Sequence, residues 1–323
     1  MYSKEVYAIY KLMKIKGVGP IIANKIIRTL SFSNRSLYNI LENNIENKML
    51  SSLLNNYQIE QFGIVDTFLK EQIIKLEGDN AGFLTFSNPK YPKHLLSCLG
   101  DLAPPILCYK GNLDLLKMHS VGFCGSRKAS NKGLQVAMDC VKQLAEKEIV
   151  IISGHAAGID QKTHYTALES GGSTIIVLPE GILNFKIRKS FKVVWDWKRV
   201  LVISEYLPNA SWNAFHAMQR NKTIIGLSNA MILIEAGKNG GSMAAGIKTL
   251  EMNKKLYAPI YEGMPDFAVG NQILLKKGAI PLGKSRDTGK ANLKNLFNFL
   301  DEYISIPTTN NKQLSLLQKD FNF

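Results

Sequence analysis

The sequence is poor in the features that mark several common protein classes. It has four cysteines and five histidines in 323 residues. Cys98, Cys108, Cys124 and Cys140 lack the close pairing of a zinc site and fall inside apolar patterns, so reduced core thiols are expected and no metal. No apolar run approaches the roughly 18 residues needed to span a bilayer. Residues 1–11 show no signal-peptide core, so a cytoplasmic protein with no membrane association is expected. Acidic residues are scarce too, at 26 against 40 Lys and Arg, for a formal net charge of +14. Such an excess often marks a protein that meets a polyanion, most commonly nucleic acid, although solubility alone also produces it. The dinucleotide fingerprint Gly-x-Gly-x-x-Gly is absent, so no cofactor is required.

What is present is a full core and a clear division of the chain. Hydrophobic residues make up 46%, enough for a globular protein, and the length suggests roughly two domains of about 150 residues. Residues 1–80 read as helical, with turn residues clustering at 77–82. Residues 81–285 alternate strands and helices, and residues 286–323 give one helix (Ala291–Ile304) and a loosely held tail from Pro307. Strands are predicted at Phe83–Phe86, Ile106–Tyr109, Ser120–Cys124, Ile149–Ile152, Thr174–Leu178, Val200–Ile203, Ala230–Ile234 and Leu256–Pro259. Helices fall at Lys132–Glu146, Gln161–Ser170, Ala214–Gly226 and Ser242–Met252. Near-continuous apolar strands separated by helices predict a mostly parallel sheet covered on both faces, an α/β, Rossmann-like doubly wound fold with a small N-terminal helical domain.

The chemistry concentrates where strands stop in glycine. Gly125-Ser126-Arg127-Lys128 offers a backbone turn, a hydroxyl and cations, which suits a phosphate oxygen. Ser153-Gly154 and Ala157-Gly158 form a second small-residue turn, followed by Asp160 at a helix start, where capping is its plain role. Gly240-Gly241-Ser242 ends a third glycine-rich loop that enters a helix. Arg220-Asn221-Lys222 places two cations on a helix packed by Ile224, Ile225 and Leu227; they form either a solvated face or phosphate ligands aimed at the glycine edge. Near the N-terminus, Lys16-Gly17-Val18-Gly19-Pro20 between two helical patterns resembles a helix-hairpin-helix turn. It is either a DNA contact flanked by Lys14, Lys16 and Lys25 or a packing module. Ser126 and Ser153 have no base beside them, His155 follows a turn glycine and His164 lies on a helix face. Asp160 and Glu235 suit capping and strand-end roles better than general-base work, so no constellation predicts an enzyme.

Taken in order, Tyr91-Pro92, Pro104–Gly111, Gly122–Ser130, Ser153–Asp160, Ser204-Glu205-Tyr206, Arg220–Ser228, Glu235-Ala236, Gly241-Ser242 and Gly270-Asn271 resemble the DNA-processing protein A family, also called DprA or Smf, over residues 88–282. The resemblance implies a Rossmann-like, non-catalytic binder of single-stranded DNA, acting as a homodimer and loading the RecA recombinase during natural transformation. It implies DNA contacts at Gly125, Ser126 and Arg127, on the Ser153–Asp160 turn and along Arg220-Asn221-Lys222. The chain departs from the family where it has Ala157 in place of a Lys or Arg, Lys222 in place of an Arg, Thr223 at a usually apolar position and Pro179-Glu180-Gly181 at one turn. No C-terminal winged helix, which many members add, is expected in this chain. The alternative is a nucleotide sensor or phosphoribohydrolase-like enzyme on the related lysine-decarboxylase-like fold, suggested by Gly240-Gly241-Ser242 and Thr249-Leu250-Glu251. Their spacing does not match the compact Pro-Gly-Gly-x-Gly-Thr-x-x-Glu pattern of those enzymes.

Overall fold

A computed structural model describes residues 3–33, 35–42, 48–77, 81–262 and 265–305. The helical start comprises α1 (Lys4–Lys14), α2 (Pro20–Phe32), α3 (Leu37–Glu42), α4 (Lys48–Leu53), α5 (Asn56–Gly63) and α6 (Thr67–Glu77). Ser3 caps α1, and Asn55 with Gln58 closes a capping box on α5, so short helices of modest propensity have defined ends. Pro20 opens α2 at a position where its missing N–H costs nothing.

From residue 81 the chain becomes β1 (Ala81–Thr85), α7 (Lys93–Leu99), β2 (Ile106–Gly111), β3 (Ser120–Cys124), α8 (Asn131–Ala145), β4 (Val150–Ser153), α9 (Ile159–Glu169), β5 (Thr174–Val177) and β6 (Val200–Ser204). It continues through α10 (Ala214–Gln219), α11 (Asn221–Leu227), β7 (Ala230–Leu233), α12 (Gly241–Glu251), β8 (Lys255–Pro259), α13 (Val269–Lys276), β9 (Ile280–Leu282) and α14 (Lys294–Ser305). The nine strands form one sheet in the order β1-β2-β6-β5-β4-β3-β7-β8-β9. β1 pairs antiparallel with β2, and β2 antiparallel with β6. Every pairing from β6 to β9 is parallel.

Side-chain alternation along the strands builds two cores. Val150 and Ile152 point to the face covered by Leu95 of α7, Ile224 and Ile225 of α11 and Leu274 of α13. Ile151 between them points to the other face, against Ala137, Val141 and Leu144 of α8, Ile159 of α9 and Leu296 and Leu300 of α14. Each such buried aliphatic side chain contributes about 1.5–3 kcal/mol. Both faces being covered explains why the parallel strands read as continuous apolar runs.

The helical unit docks on the antiparallel edge. Its core takes in Ile106 of β2 and packs Phe83 of β1, with Tyr10 edge-on to Phe83 at 6.0 Å. Asn24, buried in α2, donates through Nδ2 to Asp101 O (2.9 Å) and Ala103 O (2.8 Å). Arg28 pairs with Asp101 at 2.9 Å.

All eight predicted strands form, to within two residues at their ends. The ninth, Ile280–Leu282, was not expected: it is short and holds Pro281, which an edge strand tolerates because one side of its backbone is unpaired. The single helix expected over Ala214–Gly226 is two helices, meeting at Arg220. Residues 78–80 of the turn cluster at 77–82 and the tail from Pro307 lie outside the described residues.

Candidate nucleic-acid interface

Seven parallel strands open their carboxyl ends onto one edge. The sheet grows from β3 towards β4 on one side and from β3 towards β7 on the other, which leaves a crevice outside the ends of β3 and β7. The three glycine-rich loops seen in the sequence therefore share this edge.

The loops after β3 and β4 interlock. Gly158 sits at φ +77°, and a Cβ there would lie 2.3 Å from Ser126 O. Glycine is needed on both counts, for conformation and for contact. Ile159 N donates to Ser126 O, 3.3 Å. A Cβ on Gly125 would strike Ile159 Cγ1 at 2.6 Å. The Ser126 hydroxyl accepts from Lys128 N at 3.1 Å, which leaves its own proton free to donate. Arg127 and Lys128 are exposed at the tip of this braced turn.

A buried charge pair lies beneath it. Arg220 is 6% exposed, and its Nη2 lies 3.7 Å from Asp160 Oδ2. The guanidinium occupies the space that a Gly154 side chain would fill. Asp160 also accepts from Ala156 N (3.1 Å). The buried Ser153 hydroxyl has one proton for either Phe123 O (2.8 Å) or Asp160 Oδ1 (3.0 Å). Burial lowers the Arg220 pKa, while Asp160, Tyr206 and Glu205 favour its charged form. His164 lies between Gly154 O (2.7 Å) and Thr174 Oγ1 (2.6 Å), and burial pulls its pKa down to about 4. His155 falls to about 4 through burial and the neighbouring Arg188 charge. Both imidazoles are thus neutral at neutral pH. Ser153, Gly154, Asp160 and Arg220 form the foundation under the edge, whereas Arg127 and Lys128 stand on its surface.

Helices α8, α9 and α12 begin beside the crevice, and one of the protein's own carboxylates occupies the first of these N-termini. At α8, buried Glu235 accepts from Ser130 N at 2.9 Å and from the Ser130 hydroxyl, while Ser130 Oγ accepts from Gly133 N at 2.9 Å. Glu235 thus fills the place where a Rossmann fold holds a pyrophosphate. At α9 the cap is Gly158, with no side-chain capping bond; Asp160 accepts instead from Ala156 N in the turn before the helix. At α12, the cap is Gly240, which has no side chain to offer, and Gly240 and Gly241 are exposed with Ser242 half-buried. Its N–H groups face outward, where an anion is favoured. The loop leading to it is held from below: Asn271 accepts from Ala236 N (2.9 Å) and donates to Ile234 O (2.8 Å).

The remaining cations and rings divide by exposure. Asn221 and Lys222 open α11 half-buried. Tyr206 is engaged internally, stacked on His216 at 3.9 Å and donating to His216 O at 2.8 Å. Trp212, Phe215 and Met218 are 50%, 68% and 44% exposed, and Met218 Sδ would lie 3.7 Å from a Cβ on Gly241. They give the edge an apolar flank.

Two sequence features belong elsewhere. The Lys16–Gly19 turn is tied into the helical unit, with Gln58 Nε2 donating to Lys16 O at 3.0 Å and Lys14 paired with Asp66. The string Gly278-Ala279-Ile280-Pro281-Leu282-Gly283-Lys284-Ser285 has the phosphate-loop spacing Gly-x-x-x-x-Gly-Lys-Ser. It forms no such loop: β9 runs through its middle and Lys284 bridges to Ala291, with no helix opening after it. Among the described residues no group of His, Cys, Asp or Glu is placed to hold a metal ion. Nor is any described helix long and apolar enough to cross a membrane.

The family described as DNA recombination-mediator protein A matches residues 82–291. The chain belongs to this family. DNA processing protein DprA of Streptococcus pneumoniae is 38% identical over 182 residues, which cover 55% of this chain and 63% of that relative. DprA of Bacillus subtilis is 28% identical over 206 residues, 63% of this chain and 69% of the relative. The chain therefore spans less than two thirds of the length of the pneumococcal relative. The solved structure of Streptococcus pneumoniae DprA superposes with a TM-score of 0.71 at 30% identity, covering 87% of this chain and 95% of that one. DNA processing protein A of Helicobacter pylori, whose structure concerns its single-stranded DNA binding mode, gives 0.55 at 25% identity, covering 69% and 95%.

Proposed function

We propose that this chain binds single-stranded DNA without sequence preference, at the edge built by Gly125–Lys128, the 153–160 turn, Arg220–Lys222 and Gly241-Ser242. The observation that carries this reading is the braced turn tipped by exposed Arg127 and Lys128 on the same strand edge as the exposed Gly240-Gly241 start of α12, with the α8 N-terminus already capped by Ser130 and Glu235. An anion that docks here is met by backbone N–H groups, cations and the Ser126 hydroxyl. Trp212 and Phe215 offer exposed π-faces that any base can stack on. The net charge of +14 supplies the long-range attraction.

The role we propose within the family is delivery of single strands to the RecA recombinase by a homodimer, in DNA uptake and recombination. Binding rather than turnover is the activity: no exposed nucleophile at the edge has a base beside it, and His155 and His164 are committed to internal contacts. The test is fluorescence anisotropy with labelled single- and double-stranded oligonucleotides. Single-strand preference that falls steeply with salt supports the reading, and equal affinity for duplex would refute it. Incubation with nucleoside monophosphates checks the enzymatic alternative, for which release of free base is the positive result.

A further inference from the structure

The connection between β5 and β6 is long, basic and fixed beside the glycine edge. Residues 185–199 hold Lys186, Arg188, Lys189, Lys192, Lys198 and Arg199, with Asp196 as the single acid. Asp196 is engaged locally, 3.4 Å from Arg199 Nε and accepting from Lys198 N at 2.9 Å. Its partners are Arg199 and Lys198 rather than Lys186, Lys189 or Lys192, so its charge acts at the β6 end of the connection. Lys186, Lys189 and Lys192 are all exposed.

This segment is anchored to the interface itself. Arg188 Nη2 donates to His155 O at 2.9 Å and Nη1 to Gln161 Oε1 at 3.2 Å, so the guanidinium clamps the turn after β4 to the start of α9. Phe185 packs on the His155 ring at 5.4 Å and on Trp195 at 5.8 Å. Phe191 meets Trp195 at 6.3 Å and Tyr165 of α9 at 5.7 Å. The rings and the clamp hold the backbone, and the lysines between them point to solvent. Anchoring matters because a fixed row of cations loses less freedom on binding than a loose one.

We propose that Lys186, Lys189 and Lys192 form a second phosphate subsite, which takes the backbone of the single strand where it leaves the glycine edge next to Arg188. This rests on the reading of that edge as a single-stranded DNA cradle and extends it: the strand is followed along the β5–β6 connection. The subsite recognises phosphates only, so it adds affinity and length dependence without sequence preference.

The test compares wild type, a K186A/K189A/K192A variant and an R127A/K128A variant, by anisotropy on oligo-dT of graded length at several salt concentrations. A melting curve for each variant confirms that the fold is retained. The triple variant is expected to keep the wild-type affinity for the shortest oligonucleotides that bind. It is expected to lose about tenfold on longer ones, with a salt slope shallower by about 2, from roughly 0.7 per released single-strand phosphate contact. Wild-type affinity of the triple variant at every length, with R127A/K128A impaired, would overturn the subsite and leave the cradle standing. Equal weakening at every length would also overturn it, by merging the lysines into the primary site. Failure of the wild-type chain to bind single strands would remove the cradle and the subsite together.

Discussion

The guanidinium of Arg220 lies where a side chain on Gly154 would be: a Cβ there would fall 1.9 Å from Arg220 Nη2. A buried cation, a glycine and the Asp160 carboxylate thus form one unit beneath the phosphate-facing turns. Gly158 and Ile159, next to Asp160 in the chain, brace the Ser126–Arg127 turn above it.

Removing the cation should unsettle the fold more than it would at a surface site. Arg220→Ala leaves Asp160 buried without its partner, a class of change that costs about 3–5 kcal/mol. Urea denaturation should show that loss, and Arg220→Lys should recover only part of it, because an ammonium lacks the planar fork. A loss of DNA binding in Arg220→Ala is therefore to be read only after its stability is known.

Gly154→Ala should be destabilising, and for the same reason. In a double-mutant cycle the cost of Gly154→Ala is expected to shrink in the Arg220→Ala background, with a coupling of about 0.5–3 kcal/mol. Additive effects would show that the close approach is not what makes glycine necessary.

Stability should fall as pH drops below about 6.5. His155 and His164 have folded pKa values near 4, from burial first, while the unfolded chain protonates them near 6.5. Between those values the unfolded state binds more protons, so unfolding becomes easier with each step down in pH. Carboxylates contribute below about pH 5, so the window from 6.5 to 5 isolates the histidines. His164→Gln should flatten the dependence of Tm on pH in that window, and an unchanged slope would argue against its buried, neutral state.

Glu235 should behave as a structural cap. Glu235→Ala removes the acceptor for the Ser130 N–H and hydroxyl at the start of α8. A loss of about 1–3 kcal/mol is expected in thermal or chemical unfolding. A stable Glu235→Ala protein with impaired DNA binding would instead assign the carboxylate to the ligand.

Much of this was readable from residue order. The parallel strands were legible because burial on both faces leaves apolar runs such as Val150–Ile152, and glycine and serine mark where each stops. The covalent pattern did not reveal β9, whose three residues include Pro281, or the helix break at Arg220. That break accompanies a tertiary contact with Asp160, 60 positions away in sequence, which periodicity cannot encode. Glu235 was legible as a strand-end residue, but its partner Ser130 lies 105 residues earlier. Arg188 carried no recognisable spacing at all, and only its contacts with His155 and Gln161 place it at the interface. The paired cations Arg220 and Lys222 looked alike in sequence, and burial separates them.

The most direct measurement is a salt titration of single-stranded DNA binding by wild type and by Arg127→Ala/Lys128→Ala, two exposed side chains whose removal leaves the buried network intact. Expected are a steep wild-type dependence on salt, a variant weakened about tenfold at low salt (~1.4 kcal/mol) and a slope reduced by roughly 1–2. Wild-type affinity and slope in the variant, with the melting temperature unchanged, would contradict binding at this edge.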